Sequence, residues 1–172
     1  NPGVIGTVNY RYNGKVFPAP HTTPQAPELQ AILKEMAEGG VTHCVMEVSS
    51  HALEQKRVGY CRFRAGVFTN LTHDHLDYHK TMDEYFRCKS LLFSYLGGSG
   101  GASVVNVDDP WGRKLKEAFP SALTFSLEKG ASVYPKDFSL LEGRTEALIA
   151  TPSGDVQISS HLVGEYNLQN ML

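Results

Sequence analysis

At 172 residues, and at roughly 100–200 residues per domain, the chain suits one domain long enough to bury a core of its own. Sixteen Lys and Arg against eighteen Asp and Glu leave a formal charge of −2, too balanced for a polybasic binder of nucleic acid or membrane surfaces. With 41% apolar and 20% charged residues, and no apolar run near the roughly 20 residues of a membrane-spanning helix, the composition is that of a folded domain with neither partner. Cys44, Cys61 and Cys88 are odd in number and lack CxxC spacing, which fits a reducing, cytoplasmic compartment better than a disulfide framework or a thiolate zinc site.

Val4-Ile5-Gly6-Thr7-Val8 reads as a strand, and Asn13-Gly14 between Tyr12 and Lys15 as a hairpin turn. A helix is predicted from Ala26 to Glu38, with Leu29, Ile32, Leu33 and Met36 on one face and Gly39-Gly40 ending it. Strands follow at Thr42–Val48 and Ala65–Thr69, then a helix from Met82 to Leu96 and a strand at Ala102–Asn106. A helix from Pro110 to Ala118 leads to a strand at Ala122–Phe125. Strands alternating with helices predict an α/β fold, a mostly parallel sheet flanked by helices. From about Ser132 the rhythm changes to short runs separated by turns, at Val133-Tyr134, Phe138–Leu140, Ala147–Ala150 and Val156–Ile158. These predict a smaller antiparallel part whose last hairpin turns at Gly154-Asp155. Asn1-Pro2-Gly3 shows no initiator Met or signal-peptide pattern, and Asn167–Leu172 reads as a helix just begun, so both ends read as cut.

Four places carry the residue types of chemistry. Thr72-His73-Asp74-His75-Leu76-Asp77-Tyr78-His79 follows a presumed parallel strand, where open α/β sheets bind ligands. Its imidazoles and carboxylates suit Zn²⁺ or Mg²⁺, and equally a polar loop capping the next helix. In Met46-Glu47-Val48-Ser49-Ser50-His51 an acid ends an apolar strand, where a carboxylate is costly unless paired or metal-bound. Ser49 or Ser50 could also cap a short helix. On the helix from Met82, the positions Met82, Tyr85, Phe86, Lys89, Leu92, Phe93 and Leu96 make one stripe with Lys89 in its middle. Either the Lys89 stem snorkels to water, or a desolvated amine of lowered pKa takes up CO₂ as a carbamate and becomes an anionic oxygen ligand. Hydroxyls and amides at His21-Thr22-Thr23-Pro24, with Gln55 and Arg57, could hold phosphate or carboxylate, while Thr23 could simply cap the first helix. No Gly-x-x-x-x-Gly-Lys-Ser/Thr loop is present to cradle a nucleotide triphosphate.

Taken together, Thr22-Thr23-Pro24, Met46–Leu53, Gln55 with Arg57, Phe68-Thr69-Asn70-Leu71, Asp74–His79, Lys89, Asn106-Val107-Asp108-Asp109-Pro110 and Gly164–Asn170 resemble the Mur ligases of peptidoglycan assembly. The run from Glu47 to Lys89 is similar to the branch that adds a diamino acid to UDP-N-acetylmuramoyl-L-alanyl-D-glutamate. The resemblance implies a cytoplasmic, monomeric, ATP-dependent amide-bond ligase of three domains, with residues 1–172 most of the central, P-loop-NTPase-like one. It implies Mg²⁺ held by Glu47 and His75, and Lys89 as a carbamylated lysine helping to stabilise a metal. It further implies that Thr22, Thr23, Ser49, Gln55 and Arg57 contact the UDP-muramyl dipeptide and that Asn170 lies near the adenine of ATP.

The chain departs from the family in having His21 where Asn usually precedes the paired threonines. The family's phosphate-binding loop, ahead of Val4, and its carboxy-terminal domain, which reads the diamino acid, are not in the sequence. The chain alone is therefore expected to lack ligase activity and to bind ATP weakly. Two rival readings are a zinc hydrolase with a His-x-His-x-Asp-His motif, whose spacing Tyr78 interrupts, and a non-catalytic UDP-sugar-binding module.

Overall fold

Residues 1–72 and 78–172 are described by the computed structural model, with 97–99 described for their backbone only. Two compact units result, one of Asn1–Arg62 with His75–Tyr95, the other of Phe63–Asp74 with Leu96–Leu172.

In the first unit, β1 (Pro2–Ile5), β2 (Tyr10–Tyr12), β3 (Lys15–Phe17) and β4 (His43–Met46) form a sheet in the order β3-β2-β1-β4. β1 runs parallel to β4, with Val4 opposite Val45, and antiparallel to β2. The predicted hairpin turn is present: Asn13 at φ 52° and Gly14 at φ 73° are both left-handed, the geometry that matches the twist of the strands they join. The predicted strands at Val4–Val8 and Thr42–Val48 end early, at Ile5 and Met46. Beyond Ile5 the chain turns so that the Thr7 N–H and hydroxyl reach the Glu47 carboxylate instead of a ladder partner.

Helix α1 (Ala26–Glu38) has the predicted bounds and buries Leu29 and Met36. It ends as a Schellman turn, with Val41 N–H donating to the Met36 carbonyl and Gly40 at φ 76°. Tyr12 donates to Glu35 at 2.9 Å, fastening the hairpin to this helix. The cap is not Thr23 but Gln25, whose side chain makes no capping bond; the Thr23 hydroxyl is engaged elsewhere. α2 (Ser50–Glu54) is capped as expected by Ser49, whose hydroxyl accepts from Ala52 N–H at 3.2 Å. α3 (Met82–Ser99) buries Tyr85, Cys88, Phe93 and Leu96. The inward line therefore takes in Cys88, which the predicted stripe omits, while Lys89 is half-buried.

In the second unit β5 (Ala65–Phe68), β6 (Ala102–Asn106) and β7 (Leu123–Phe125) form a parallel sheet in that order, with α4 (Pro110–Ala118) between β6 and β7. The Asn106–Pro110 motif wires this sheet. Asn106 donates to the Thr69 carbonyl at 2.7 Å, past the end of β5, and accepts from Asp108 N–H at 2.9 Å. Asp109 accepts from Trp111 and Gly112 N–H in the first turn of α4 and, through its other oxygen, from Leu71 N–H. Losing such a helix cap costs up to about 2 kcal/mol. Asp109→Ala, which also strips Leu71 of its acceptor, is expected to lower stability by about 2 kcal/mol in urea unfolding, and Asp109→Asn by about half of that.

The predicted antiparallel part is β8 (Tyr134–Leu141), β9 (Arg144–Thr151) and β10 (Gly154–Ser160), in the order β10-β9-β8. Its last turn is made by Pro152 and Ser153 rather than Gly154-Asp155. Gly154, at φ 121°, already pairs with Thr151, and Asp155 pairs in register with Ala150 and meets Lys136 at 2.7 Å. α5 (Glu165–Met171) packs Leu168 on Ala147 and Ile149, and its Gln169 donates to Asp108 at 2.7 Å. No helix among the described residues is long and apolar enough to cross a membrane.

Candidate functional site

Six of the nine predicted site residues meet in one hydrogen-bonded network in the first unit, at the carboxyl ends of the parallel pair β1 and β4. Backbone register starts it: Glu47 N–H donates to the Ile5 carbonyl at 2.9 Å, which sets Glu47 beside Gly6 and Thr7. The Thr7 hydroxyl donates to Glu47 Oε2 at 2.5 Å and Thr7 N–H reaches the same oxygen at 3.2 Å. The Thr22 hydroxyl lies 3.1 Å from that of Thr7. Glu47 itself is exposed, so the penalty expected for a carboxylate ending an apolar strand does not arise.

Thr23 ties the other strand of the network. Fully buried, its hydroxyl donates to the Glu47 carbonyl at 2.9 Å and accepts from Ser49 N–H at 3.0 Å. Arg57 then donates from Nη1 to the Thr23 carbonyl at 2.9 Å, and from Nε and Nη2 to Gln55 Oε1 at 2.9 and 2.7 Å. The guanidinium is thereby held by three hydrogen bonds within the chain while remaining only half-buried. A planar cation fixed in this way, beside the exposed Gln55 amide, is preorganised for an anionic ligand.

Gly6 explains why the carboxylate can lie where it does. A Cβ at this position would stand 2.7 Å from Glu47 Oε1, so a larger residue would shift the exposed carboxylate from the place it takes here. Thr7 and Gly6 are the participants that sequence reading missed. Neither belongs to a charged cluster, and Thr7 meets Glu47 across 40 positions of sequence. Only the parallel pairing of β1 with β4 predicts that meeting.

Of the other three predicted residues, Lys89 and Asn170 are described. His75 lies outside the described residues. Lys89 places its ammonium 5.1 Å from the centroid of the Tyr85 ring, a cation–π distance. Asn170 is exposed on α5, with the neighbouring Gln169 bound to Asp108. His79, at the end of the histidine-rich segment, is buried, with Nε2 2.7 Å from the Ser50 hydroxyl and its ring stacked on Tyr85 at 4.9 Å between centroids.

Residues 2–172 match the Mur ligase middle domain. The chain is 48% identical to the UDP-N-acetylmuramoyl-L-alanyl-D-glutamate–2,6-diaminopimelate ligase of Gloeobacter violaceus, over 99% of its own length and 35% of that protein's. It is 43% identical to the ligase of the same name from Geobacter sulfurreducens, over 98% of its length and 34% of the relative. The chain thus spans about a third of the curated relatives it matches. A solved ligase of that name superposes over 99% of this chain and 35% of its own, with a TM-score of 0.84 at 29% identity. MurF from Acinetobacter baumannii shares the fold, with a TM-score of 0.65 over 77% of this chain and 29% of its own at 21% identity.

Proposed function

Because the chain belongs to the Mur ligase middle domain family, we propose that it is the central domain of a longer, cytoplasmic ATP-dependent ligase. That ligase joins a diamino acid to the D-glutamate carboxylate of UDP-N-acetylmuramoyl-L-alanyl-D-glutamate in peptidoglycan synthesis. The relatives' names favour 2,6-diaminopimelate over lysine as the diamino acid. The observation that carries this reading is the convergence of Thr22, Thr23, Glu47, Ser49, Gln55 and Arg57 on one bonded network.

In the reaction proposed, a substrate carboxylate oxygen attacks the γ-phosphorus of ATP and ADP leaves. The diamino acid's amine then attacks the acyl carbon, and phosphate leaves as the amide forms. Such chemistry needs placement and charge neutralisation more than covalent help. Arg57 and Gln55 present donors to the anionic muramyl dipeptide. Ser49 and Thr22 border the same surface, while Thr23, its hydroxyl turned inward, serves as a positioning residue for Glu47 and Ser49.

The oxygen donors around Glu47 suit a hard ion. The carboxylate is exposed, held by Thr7, and has hydroxyls on one side, as Mg²⁺ requires. Glu47 and His75, with Lys89 as its carbamate, would hold Mg²⁺, which supplies neutralisation of phosphoryl charge. For Lys89 the covalent step is attack of its neutral amine on CO₂. The ammonium first loses one proton to solvent; as the nitrogen–carbon bond forms, a C=O π bond of CO₂ opens to O⁻ and a second proton leaves the nitrogen, so that a cation is exchanged for an anion. Asn170 is proposed to border the adenine of ATP.

Assay of the complete ligase tests the proposal: formation of ADP and phosphate strictly dependent on the muramyl dipeptide and 2,6-diaminopimelate supports it. Turnover of neither substrate overturns it. Thr7→Val, which keeps the backbone N–H but removes the hydroxyl bond to Glu47, is expected to raise the Mg²⁺ concentration for half-maximal rate by about tenfold, the worth of one charge-assisted hydrogen bond. Thr7→Ser is expected to restore it.

A further inference from the structure

Glu54, His79 and Cys88 form a donor cluster in the first unit that the proposed ligase chemistry does not use. One ligand-type atom from each lies within 4.8 Å of the other two. Glu54 closes α2, His79 precedes α3 and Cys88 lies on α3. His79 is 3% and Cys88 1% exposed, whereas Glu54 is exposed. The three line a cavity of about 210 Å³ together with Tyr78, Lys80, Glu84 and Arg87.

From this geometry we infer that Glu54, His79 and Cys88 bind a borderline divalent ion of the Zn²⁺ type, apart from any site for Mg²⁺. The donor chemistry selects the ion. The buried thiolate suits Zn²⁺ or Co²⁺ and disfavours Mg²⁺, a hard ion that prefers oxygen ligands. Around a tetrahedral zinc with bonds of about 2.0 Å to nitrogen or oxygen and about 2.3 Å to sulfur, donors sit roughly 3.3–3.7 Å apart. The cluster needs to contract by about an ångström from its widest separation, a movement open to the exposed Glu54 side chain at the end of a five-residue helix.

The surroundings favour the exchange of a proton for an ion. The Ser50 hydroxyl, 2.7 Å from Nε2, orients the buried imidazole, as partners of ligating histidines do. Arg87 donates from Nη2 to Cys88 Sγ at 3.8 Å, so the sulfur already acts as an acceptor in this pocket. On binding, the S–H proton leaves to solvent as the sulfur–metal bond forms, and the cation relieves the repulsion between thiolate and carboxylate. The ion then links α2, the segment before α3, and α3 itself.

Titration of the 172-residue chain with Co²⁺ tests the inference. Expected is a sulfur-to-cobalt charge-transfer band that saturates at one equivalent, persists in the Cys44→Ser/Cys61→Ser variant and disappears in Cys88→Ser. Zn²⁺ should displace it and a tenfold excess of Mg²⁺ should not, and Zn²⁺ should raise Tm, since a ligand of the native state stabilises it. Glu54→Gln, at an exposed position that leaves the fold intact, should weaken Co²⁺ binding at least tenfold and serves if Cys88→Ser does not fold. Absence of the band, its dependence on Cys44 or Cys61, displacement by Mg²⁺, or unaltered affinity in Glu54→Gln would each overturn the inference.

Discussion

Glu47→Gln in the complete ligase is expected to lower kcat by about 10²–10³-fold, the cost of removing one group that stabilises transition-state charge, with KM for the muramyl dipeptide nearly unchanged. The substitution keeps the side-chain length and leaves an oxygen that can still accept from Thr7, so the network around Thr23, Ser49 and Arg57 is preserved. What it removes is the negative charge of the Glu47 carboxylate. With Arg57, Gln55 and Thr22 holding the substrate as proposed, its ground-state binding should survive while phosphoryl transfer loses charge neutralisation. Steady-state release of ADP against muramyl dipeptide concentration, at saturating Mg²⁺, reads both parameters. A variant with unchanged kcat would separate Glu47 from the chemistry.

Gly112→Ala is expected to be the most destabilising single methyl in the second unit. A Cβ at position 112 would lie 1.7 Å from the Asn106 carbonyl oxygen and 2.9 Å from its carbonyl carbon. Both are backbone atoms at the end of β6, with no flexible side chain to give way, so α4 must lift from the strand and drag Asp109 off the Leu71 N–H. The cost falls in the exceptional class, about 4 kcal/mol or more, and a loss of Tm of roughly 10 °C or more follows for a chain of this length. Gly14→Ala is the matched control. Its φ of 73° is left-handed and nothing lies within 4 Å of the added carbon, so only the backbone penalty of about 1–2 kcal/mol applies. Thermal unfolding of the two variants side by side distinguishes steric collision from conformational cost.

The contrast between these glycines marks how far the fold is legible in the sequence. Asn13-Gly14 and Gly40 act locally, through left-handed dihedrals, and are readable as turn and helix stop; Gly39, at φ −82°, instead meets the Asn13 side chain, whose Nδ2 would lie 1.8 Å from a Cβ. Gly112 acts through close approach to a strand six residues back, and Gly6 through a side chain 41 positions ahead; neither carries a local signature. The candidate site divides in the same way. Residue types at Glu47, Ser49, Gln55 and Arg57 are conspicuous by chemistry, and they do converge. Thr23 is equally conspicuous, yet its hydroxyl is consumed by Glu47 and Ser49. Composition reveals a polar group but not which way it faces. Strand ends are misjudged for a related reason. Thr7-Val8 and Glu47-Val48 have strand propensity, but hydrogen bonds from Thr7 and Thr23 to Glu47 take the place of ladder pairing.

The convergence of an acid, an imidazole and a modified amine on one divalent ion is tested most directly by an anomalous difference map. Crystals of the complete ligase grown with Mn²⁺ in place of Mg²⁺, with bicarbonate present, should show a manganese peak within bonding distance of the Glu47 carboxylate and His75. Density for a carboxyl group on Lys89 Nζ should face the same pocket. A peak remote from Glu47, or a bare Lys89 amine resting on Tyr85 beside a metal bound elsewhere, would contradict it.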